Sequence, residues 1–326
     1  MLSDHSVLSL ISRRRMLAGL AAVPFAPMVG RAQPVNTLDR PTVLQAGSES
    51  YHVHSFRLPS PDEGAAHLIR VAWPKGPVPD GGFPAVYMLD GRAVADSLNE
   101  PMLARMAAAG GPAIVTLGAD LDQRFATQER TRDYTPPDAR GAPVADPRGR
   151  SGGQAAAFLS LLAETIIPQV EASAPLDSAR RALWGHSYGG LFALYAGFEA
   201  PELFKHIVSA SPALWWDHAD FYQRLLARLS DGAGPDVRLD IHFGEAERAR
   251  ASRPKGANAE KLIAMRDALP EDSHERLAAA LRDAGTPGDL LIFPGLSHGE
   301  SFLRSVEVTL LEVIPGSILP PARKLD

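Results

Sequence analysis

The fold is decided by the stretch RALWGHSYGGLFALY, residues 181–195. The apolar run that opens it is typical of a buried strand, and LFALY at its end is typical of a helix. Between them, Gly185 to Gly189 match G-x-S-x-G, in which a serine occupies a sharp, strained turn from strand to helix. Glycine at both flanking positions lets the two backbones approach closely. We therefore predict that Ser187 is an exposed nucleophile and not an incidental serine in a glycine-rich turn.

Short apolar runs and helix-like segments alternate on both sides of this turn. The leading segments Thr42–Leu58 and Ala65–Pro74 are typical of an antiparallel pair of strands. Further strands are predicted at 83–89, 112–117, 181–184, 206–210, 237–243 and 290–293. Helices are predicted at 154–171, 191–198, 258–283 with an interruption at Pro270, and 300–313. This alternation predicts an α/β fold with a mostly parallel, doubly wound sheet and helices on both faces.

One segment, 120–152, departs from this alternation. Its 33 residues are mainly polar, include several prolines and glycines, and show no clear period. Long irregular segments in compact domains are typically lids or binding loops, so we predict a lid-like insertion here.

The first thirty-two residues have the features of an export signal. Ser12–Leu17 contain three arginines and precede an apolar run that ends at Val29, too short to span a bilayer as a helix. Small residues near Ala32 are typical of a cleavage site, and the paired arginines resemble a twin-arginine signal. We predict a signal peptide at 1–32, recognised by the twin-arginine export machinery, and a periplasmic mature domain at 33–326 without a stable membrane span. The alternatives are a basic N-terminal arm and an uncleaved anchor.

Composition excludes several classes of function. The 326 residues include 33 Lys and Arg against 38 Asp and Glu, a net charge of −5, so a basic nucleic-acid-binding surface is not expected. Without cysteine there is no thiolate catalysis, iron–sulfur cluster or cysteine-ligated zinc. His52 and His54 have the spacing of metal ligands on one strand face, but no third ligand accompanies them. We predict neither a metal nor a cofactor.

A serine nucleophile needs a base and an acid that orients the base. His298 lies in the loop after the last predicted strand, where the base of such hydrolases is found, and we predict that it is the base. The acid belongs after the penultimate strand, and Glu245 and Glu247 both satisfy that position. The residues alone leave the choice between them open, with Asp217 as a third candidate that ranks last.

The negative oxygen of a tetrahedral intermediate needs two N–H donors. One is the N–H of Tyr188, at the start of the helix that follows Ser187. The second comes from an earlier strand end, and strand 83–89 ends in Asp-Gly91-Arg92. We predict that the N–H of Gly91 or of Arg92 is this donor; the alternative is that Asp-Gly is an ordinary turn.

Further motifs in the chain are narrower than G-x-S-x-G. They are YMLDG at 87–91, RTRDYTP at 130–136, PELF at 201–204, SPALWW at 211–216 and HG at 298–299. Together they resemble the putative-esterase family of α/β-hydrolases, in particular the trilactone esterases that open catecholate siderophores such as enterobactin and salmochelin. The resemblance implies the α/β-hydrolase fold, with Ser187 as nucleophile and His298 as base. It favours Glu247 as the acid, because the family's acid commonly lies three residues after the glycine.

The resemblance makes a serine esterase with a Ser-His-Glu triad the leading interpretation. Its substrate would be a small-molecule ester such as a ferric catecholate siderophore. Arg130, Trp215 and Trp216 are the predicted substrate contacts, because arginines pair with anionic oxygens and indoles stack on aromatic rings. The alternative is that Arg130 pairs with Asp133 and that both tryptophans belong to the core.

Three other functions remain open at this stage. A general periplasmic carboxylesterase or an acyltransferase would use the same serine chemistry with another substrate or acceptor. A non-catalytic binding protein on a hydrolase fold belongs to a different class, because fold alone does not determine function.

Overall fold

One β-sheet forms the centre of the fold and positions the residues of the candidate site. The strands are β1 Tyr51–Leu58, β2 His67–Pro74, β3 Phe83–Met88, β4 Ala113–Ala119, β5 Leu176–His186, β6 His206–Ala210, β7 Arg238–Gly244 and β8 Leu290–Phe293. The computed structural model describes residues 40–60, 64–247 and 258–314. In that part of the chain the strand order is β1-β2-β4-β3-β5-β6-β7-β8. Strand β2 pairs antiparallel with β1 and β4, and the other pairs are parallel, which confirms the predicted sheet.

Helices pack on both faces of this sheet. They are α1 Val43–Ala46, α2 Gly91–Ser97, α3 Glu100–Ala108, α4 Thr127–Tyr134, α5 Ala155–Leu161, α6 Ile167–Ser173, α7 Tyr188–Glu199, α8 Asp220–Ser230, α9 Ala259–Asp267, α10 Ser273–Asp283 and α11 His298–Val308. Helices α2, α3 and α11 share one buried cluster, and α4, α5, α7, α8 and α10 share another. Strand β3 contributes to both, with Tyr87 in one cluster and Met88 in the other, because successive side chains of a strand point to opposite faces.

One described helix is long and apolar enough to cross a membrane by length and composition. It runs through α5 and α6, from Ala155 to Ser173. Phe158, Leu162 and Val170 on this helix are buried in the core cluster that covers the sheet. The helix predicted at 154–171 is therefore confirmed, and its apolar side chains pack against the sheet.

The structure corrects the prediction of an irregular segment at 120–152. Helix α4 lies within it, and the last turn of that helix, from Thr131 to Tyr134, is buried. Tyr134 contacts the rings of Phe158 and Phe192, with centroids 5.5 and 6.0 Å apart. This helix was not predicted because the residues of its buried last turn are mainly polar. Their hydroxyl and charged groups are hydrogen-bonded or ion-paired inside the fold. A lid role for this segment stays a prediction.

Helices α1, α2, α3 and α8 were not predicted, and β5 begins five residues earlier than predicted, at Leu176 instead of Arg181. The strand predicted at Thr42–Leu58 is wrong in its first part, because α1 occupies Val43–Ala46 and β1 begins only at Tyr51. Asn99 accepts a hydrogen bond from Met102 N–H at the start of α3, an N-cap signal visible in the sequence. The predicted signal peptide at 1–32 lies outside the described residues.

Candidate active site

Ser187 occupies the turn between β5 and α7. Its backbone has φ 61° and ψ −115°, a conformation that is rare for residues other than glycine and typical of strained functional positions. The Ser187 N–H donates to the Ala210 carbonyl of β6 at 2.9 Å, which holds the turn against the sheet. A Cβ at Gly185 would lie 2.2 Å from the Gly189 carbonyl oxygen, so only glycine lets strand and helix approach this closely.

His298 is the first residue of α11, and the cap of that helix orients it. Ser297 and Glu300 form a capping box at the helix start. The indole N–H of Trp184 on β5 donates to Ser305 on α11 at 2.9 Å, which ties this helix to the strand that leads to the serine. The Nδ1 atom of His298 lies 2.8 Å from a carboxylate oxygen of Glu247. Because an ionised carboxylate accepts this hydrogen bond, Nε2 is the ring nitrogen left to take a proton.

Glu247 is a buried carboxylate surrounded by donors. One of its oxygens accepts hydrogen bonds from the hydroxyls of Ser211 and Ser301 and from the Gly244 N–H. Burial raises the pKa of this carboxyl, but the hydrogen bonds and the facing imidazole of His298 lower it more, and its pKa is about 2. Glu247 is therefore ionised near neutral pH, as required of an acid that stabilises an imidazolium.

The other two acid candidates lie elsewhere. Glu245 is exposed, and its carboxylate accepts the Gly295 N–H at 2.8 Å. Asp217 follows Trp216 in a short turn, where burial and then the neighbouring Asp220 raise its pKa. Within residues 40–60, 64–247 and 258–314, Glu247 is the carboxylate that contacts the His298 ring.

The ring of His186 packs against the ring of His298. Their centroids are 4.5 Å apart, and Phe302 of α11 contacts the His186 ring edge-on at 5.3 Å. Burial lowers the pKa of His186 well below its ordinary value, and the charge of His298 lowers it further. His186 is therefore neutral and adds no second positive charge beside the base. The sequence gives no signal for this contact, because it depends on how α11 packs over β5.

The predicted oxyanion donors lie at two helix starts. Tyr188 is the first residue of α7 and Gly91 the first residue of α2, and N–H groups in the first turn of a helix have no acceptor within it. A Cβ at Gly91 would lie 2.9 Å from the Leu117 nitrogen, so glycine lets α2 begin against β4. The two starts adjoin, because a Cβ at Gly189 would lie 3.6 Å from a carboxylate oxygen of Asp90.

Arg130 joins these two turns. Its guanidinium forms two hydrogen bonds of 2.9 Å with the carboxylate of Asp90 and donates a third, of 3.3 Å, to the carbonyl of His186. Burial lowers the pKa of Arg130, but the Asp90 charge and hydrogen bond raise it more, so the pair is ionic. Asp90 has φ 54°, so the turn before Gly91 also contains a left-handed residue other than glycine.

The guanidinium of Arg130 is thus engaged by Asp90, and its contact with substrate stays a prediction. The alternative pairing of Arg130 with Asp133 is wrong, since Asp133 pairs with Arg132 at 2.6 Å. The side chain of Arg92, whose N–H is a candidate donor, pairs with Asp122.

The two predicted tryptophans differ in exposure. Trp216 is 1% exposed and donates its indole N–H to the Pro136 carbonyl at 3.1 Å, so the prediction that it binds substrate is wrong. Trp215 is half-buried, and its ring lies 5.7 Å from that of Tyr188. The guanidinium of Arg266 on α9 lies 5.3 Å from the centre of the Trp215 ring. Sequence reasoning missed Arg266, because helical periodicity at 258–283 did not indicate which neighbour α9 meets.

The histidine pair on β1 shows no metal-site geometry. His52 and His54 are exposed and lie near the rings of Trp73 and Phe56. In the part of the chain that the structure describes, no group of three or more potential ligands is present.

Comparisons with known proteins agree with the geometry. Residues 65–280 match the family model described as Putative esterase. Over 275 residues the chain is 32% identical to the apo-salmochelin esterase of Escherichia coli O6:H1 strain CFT073, covering 84% of this chain and 82% of that protein. It is 27% identical over 249 residues to the ferri-bacillibactin esterase BesA of Bacillus subtilis strain 168, covering 73% and 81%. The solved structure of the enterobactin hydrolase IroE with DFP superimposes with a TM-score of 0.66 at 31% identity, covering 85% of this chain and 100% of that one.

The contact between Glu247 and His298 predicts different effects for the two glutamates. Glu247→Gln should lower kcat for an activated aryl ester by about 10³ to 10⁴, because an amide neither fixes the tautomer nor stabilises the imidazolium. Glu245→Gln is the matched control and should stay within about threefold of wild type, because its partner is a backbone N–H away from the ring. Steady-state hydrolysis of p-nitrophenyl acetate measures both. A Glu247→Gln rate near wild type would indicate a Ser–His dyad.

The lowered pKa of Glu247 also predicts how stability depends on pH. A carboxyl whose folded-state pKa is below its ordinary value of 4.5 stabilises the fold above that value, and this contribution is lost as the pH falls to about 2. Between pH 5 and pH 3 the wild type should therefore lose more unfolding free energy than Glu247→Gln, in which this contribution is absent. Urea unfolding at each pH measures the two slopes, and parallel slopes would contradict the assignment.

Removing one partner of the Arg130–Asp90 pair should be costly. Arg130→Met leaves a buried, unpaired carboxylate and should lower the free energy of unfolding by about 3–5 kcal/mol. The double variant Arg130→Met with Asp90→Asn should recover a large part of that loss, because neither charge remains. Urea unfolding of the single and double variants tests this coupling. Additive effects would mean that the two side chains act independently.

Proposed function

The chain belongs to the esterase family that its residues 65–280 match and is a carboxylic ester hydrolase with the α/β-hydrolase fold, and from this premise we propose that it hydrolyses siderophore esters through Ser187, His298 and Glu247. The observation that carries the triad is the 2.8 Å contact between His298 Nδ1 and the ionised Glu247. The names of the compared proteins, which refer to salmochelin, bacillibactin and enterobactin, support a siderophore as substrate.

In the proposed reaction, the Ser187 hydroxyl oxygen attacks the ester carbonyl carbon while His298 Nε2 accepts the hydroxyl proton. Ionised Glu247 stabilises the imidazolium that forms and holds its ring in one orientation. His186, being neutral, fills the space beside the imidazolium without repelling it.

The attack leaves a negative charge on the former carbonyl oxygen. The N–H of Tyr188 and that of Gly91 or Arg92 stabilise this charge as it develops. The bond to the alcohol oxygen then breaks, and the imidazolium of His298 gives its proton to that oxygen. The alcohol departs, and the acyl group remains on the serine.

Water completes the cycle. Its oxygen attacks the acyl carbon while His298 accepts one of its protons, and a second oxyanion forms in the same place. The bond between the acyl carbon and the Ser187 oxygen breaks as the imidazolium returns the proton to that oxygen. The products are a carboxylic acid, an alcohol and the free serine.

The groups near Tyr188 support an anionic, aromatic substrate. Trp215 is half-buried beside it, and Arg266 lies over the Trp215 ring. Arg148 is exposed, and its charge lowers the pKa of Arg266 after the larger effect of burial. Neither arginine forms an ion pair with another described residue. Two cations beside an aromatic ring suit the oxygens and ring of a catecholate.

Ester hydrolysis would assist iron release from such a substrate. A cyclic triester holds three catechol arms at high effective concentration around the metal, and opening the ring lowers that concentration. Export through the twin-arginine pathway to the periplasm is part of the same proposal and rests on residues 1–32.

Ser187→Ala tests the nucleophile. It should lower hydrolysis of an activated aryl ester by at least about 10³, because the triad acts as a unit. Labelling by a fluorophosphonate probe should vanish in the same variant. Labelling that survives would assign the nucleophile to another residue, and wild-type protein that neither labels nor hydrolyses would be a binding protein.

The substrate is tested with a catecholate trilactone. Wild type should linearise enterobactin with a kcat/KM at least about 100-fold above that for p-nitrophenyl acetate, because remote contacts add transition-state binding. Arg266→Gln should reduce the enterobactin value about tenfold, whereas Arg282→Gln, at an exposed arginine on α10, should not. Mass spectrometry of the products gives both rates. Equal kcat/KM on the two esters would indicate a general carboxylesterase.

A further inference from the structure

A cavity of about 210 Å³ adjoins the turn that contains the predicted oxyanion donors. Its wall includes Gly91 and three arginines, Arg57 on β1, Arg70 on β2 and Arg92 on α2. It also includes Gly118 near the end of β4, so the cavity lies at the carboxyl edge of the parallel strands. Ser187 follows β5 at that same edge, where ligands of open α/β sheets bind.

Arg70 is the unusual residue of this wall. It is only 9% exposed, and its guanidinium forms neither an ion pair nor a hydrogen bond with any group in the part of the chain that the structure describes. Burial lowers the pKa of Arg70, and the nearby charge of Arg92 lowers it further, while the charge of Asp120 raises it by less. Asp120, the nearby carboxylate, is paired with Arg57, and a buried cation without an ion-pair partner of its own is unfavourable, so this position favours an anion in the cavity.

The charges around the cavity leave a positive excess. Arg57 pairs with Asp120 and Arg92 pairs with Asp122, so three guanidinium groups face two carboxylates. The side chain of Asp122 is 72% exposed and can turn to solvent when another anion approaches Arg92. The cavity is thus locally positive in a chain whose net charge is −5, which focuses anions at this place.

We infer that this cavity binds one anionic arm of the ester substrate. The arm is an aryl group with adjacent anionic oxygens, such as a catecholate or an aryl carboxylate, and the inference rests on the proposed function. The planar guanidinium of Arg70 can donate hydrogen bonds to two adjacent oxygens at once, whereas the compact ammonium of a lysine lacks this geometry. Pockets that enclose drug-sized ligands measure about 300–1,000 Å³. The smaller volume here suits a single ring and its oxygens.

The position of the cavity gives this arm a role in the reaction. Gly91 contributes both to the cavity wall and to the proposed oxyanion donors. An arm bound by Arg70 therefore anchors the substrate next to those donors and limits the positions of the scissile carbonyl. The effect falls on substrates that have an anionic arm, and small neutral esters do not experience it.

The probe that tests this inference is 2,3-dihydroxybenzoate, titrated by calorimetry into the full chain. Arg70→Met should bind it at least about tenfold more weakly than wild type. Arg105→Gln, which removes an exposed arginine on α3, is the control of equal charge and should bind as wild type does. The melting temperature of Arg70→Met should equal or exceed that of wild type, because the variant removes an uncompensated buried cation. If Arg70→Met does not fold, Arg57→Gln, at a mostly exposed side chain, should still weaken binding about threefold.

Two results would overturn the inference. Unchanged affinity in folded Arg70→Met, with binding lost in Arg266→Gln instead, would locate the probe beside Trp215. Equal affinity for inorganic phosphate, with the same dependence on Arg70, would indicate a general anion site and not a site for a substrate arm.

Hydrolysis of p-nitrophenyl acetate by the same proteins separates this inference from the proposed function. Arg70→Met should retain the wild-type rate on this neutral ester. If wild type itself were inactive on esters, the proposed function would fail, while the dependence of dihydroxybenzoate binding on Arg70 would still be measured.

Discussion

The Arg130–Asp90 ion pair is the interaction on which the rest of the site depends. It connects the turn after β3, which contains Gly91, to the turn after β5, which contains Ser187. Asp90 and Ser187 both have positive φ, and each such conformation costs about 1–3 kcal/mol. The buried, bidentate pair connects the two turns only while both partners are present, because either charge alone would be buried without a partner. The proposed nucleophile and the proposed oxyanion donors are thus positioned by a contact that does not itself take part in bond making.

A second network holds the base, and it is built from other elements. Glu247 follows β7 and contacts His298 at the start of α11. The carboxylate of Glu247 also accepts hydrogen bonds from the hydroxyls of Ser211 and Ser301. The two networks meet at His186, whose carbonyl accepts a hydrogen bond from Arg130 and whose ring packs on that of His298. Displacement of either turn would therefore change the positions of both Ser187 and His298.

The sequence predicted those features that depend on local pattern. The strand-turn-helix context predicted the strained turn at Ser187, and the position after the last strand predicted the loop in which His298 meets Glu247. Glu245 and Glu247 are two positions apart, and the sequence pattern does not distinguish them. The packing around Gly244 buries the carboxylate of Glu247 and leaves that of Glu245 exposed. Arg130 and Asp90 are forty positions apart, and their contact depends on α4 packing against the turn that contains Ser187. Trp216 and Arg70 show the same limit, because their burial follows from neighbours that are distant in the chain.

In the proposed reaction, the turn that contains Ser187 and the turn after β3 are held so that both face the same reacting oxygen. A crystal structure of the phosphonylated protein tests it most directly. The phosphorus should be bound to the Ser187 oxygen, and the phosphoryl oxygen should lie within about 3 Å of the Tyr188 nitrogen and of the Gly91 or Arg92 nitrogen. The Arg130–Asp90 pair should be unchanged in that structure. A phosphoryl oxygen that points away from the turn after β3, or a label on another residue, would contradict the account.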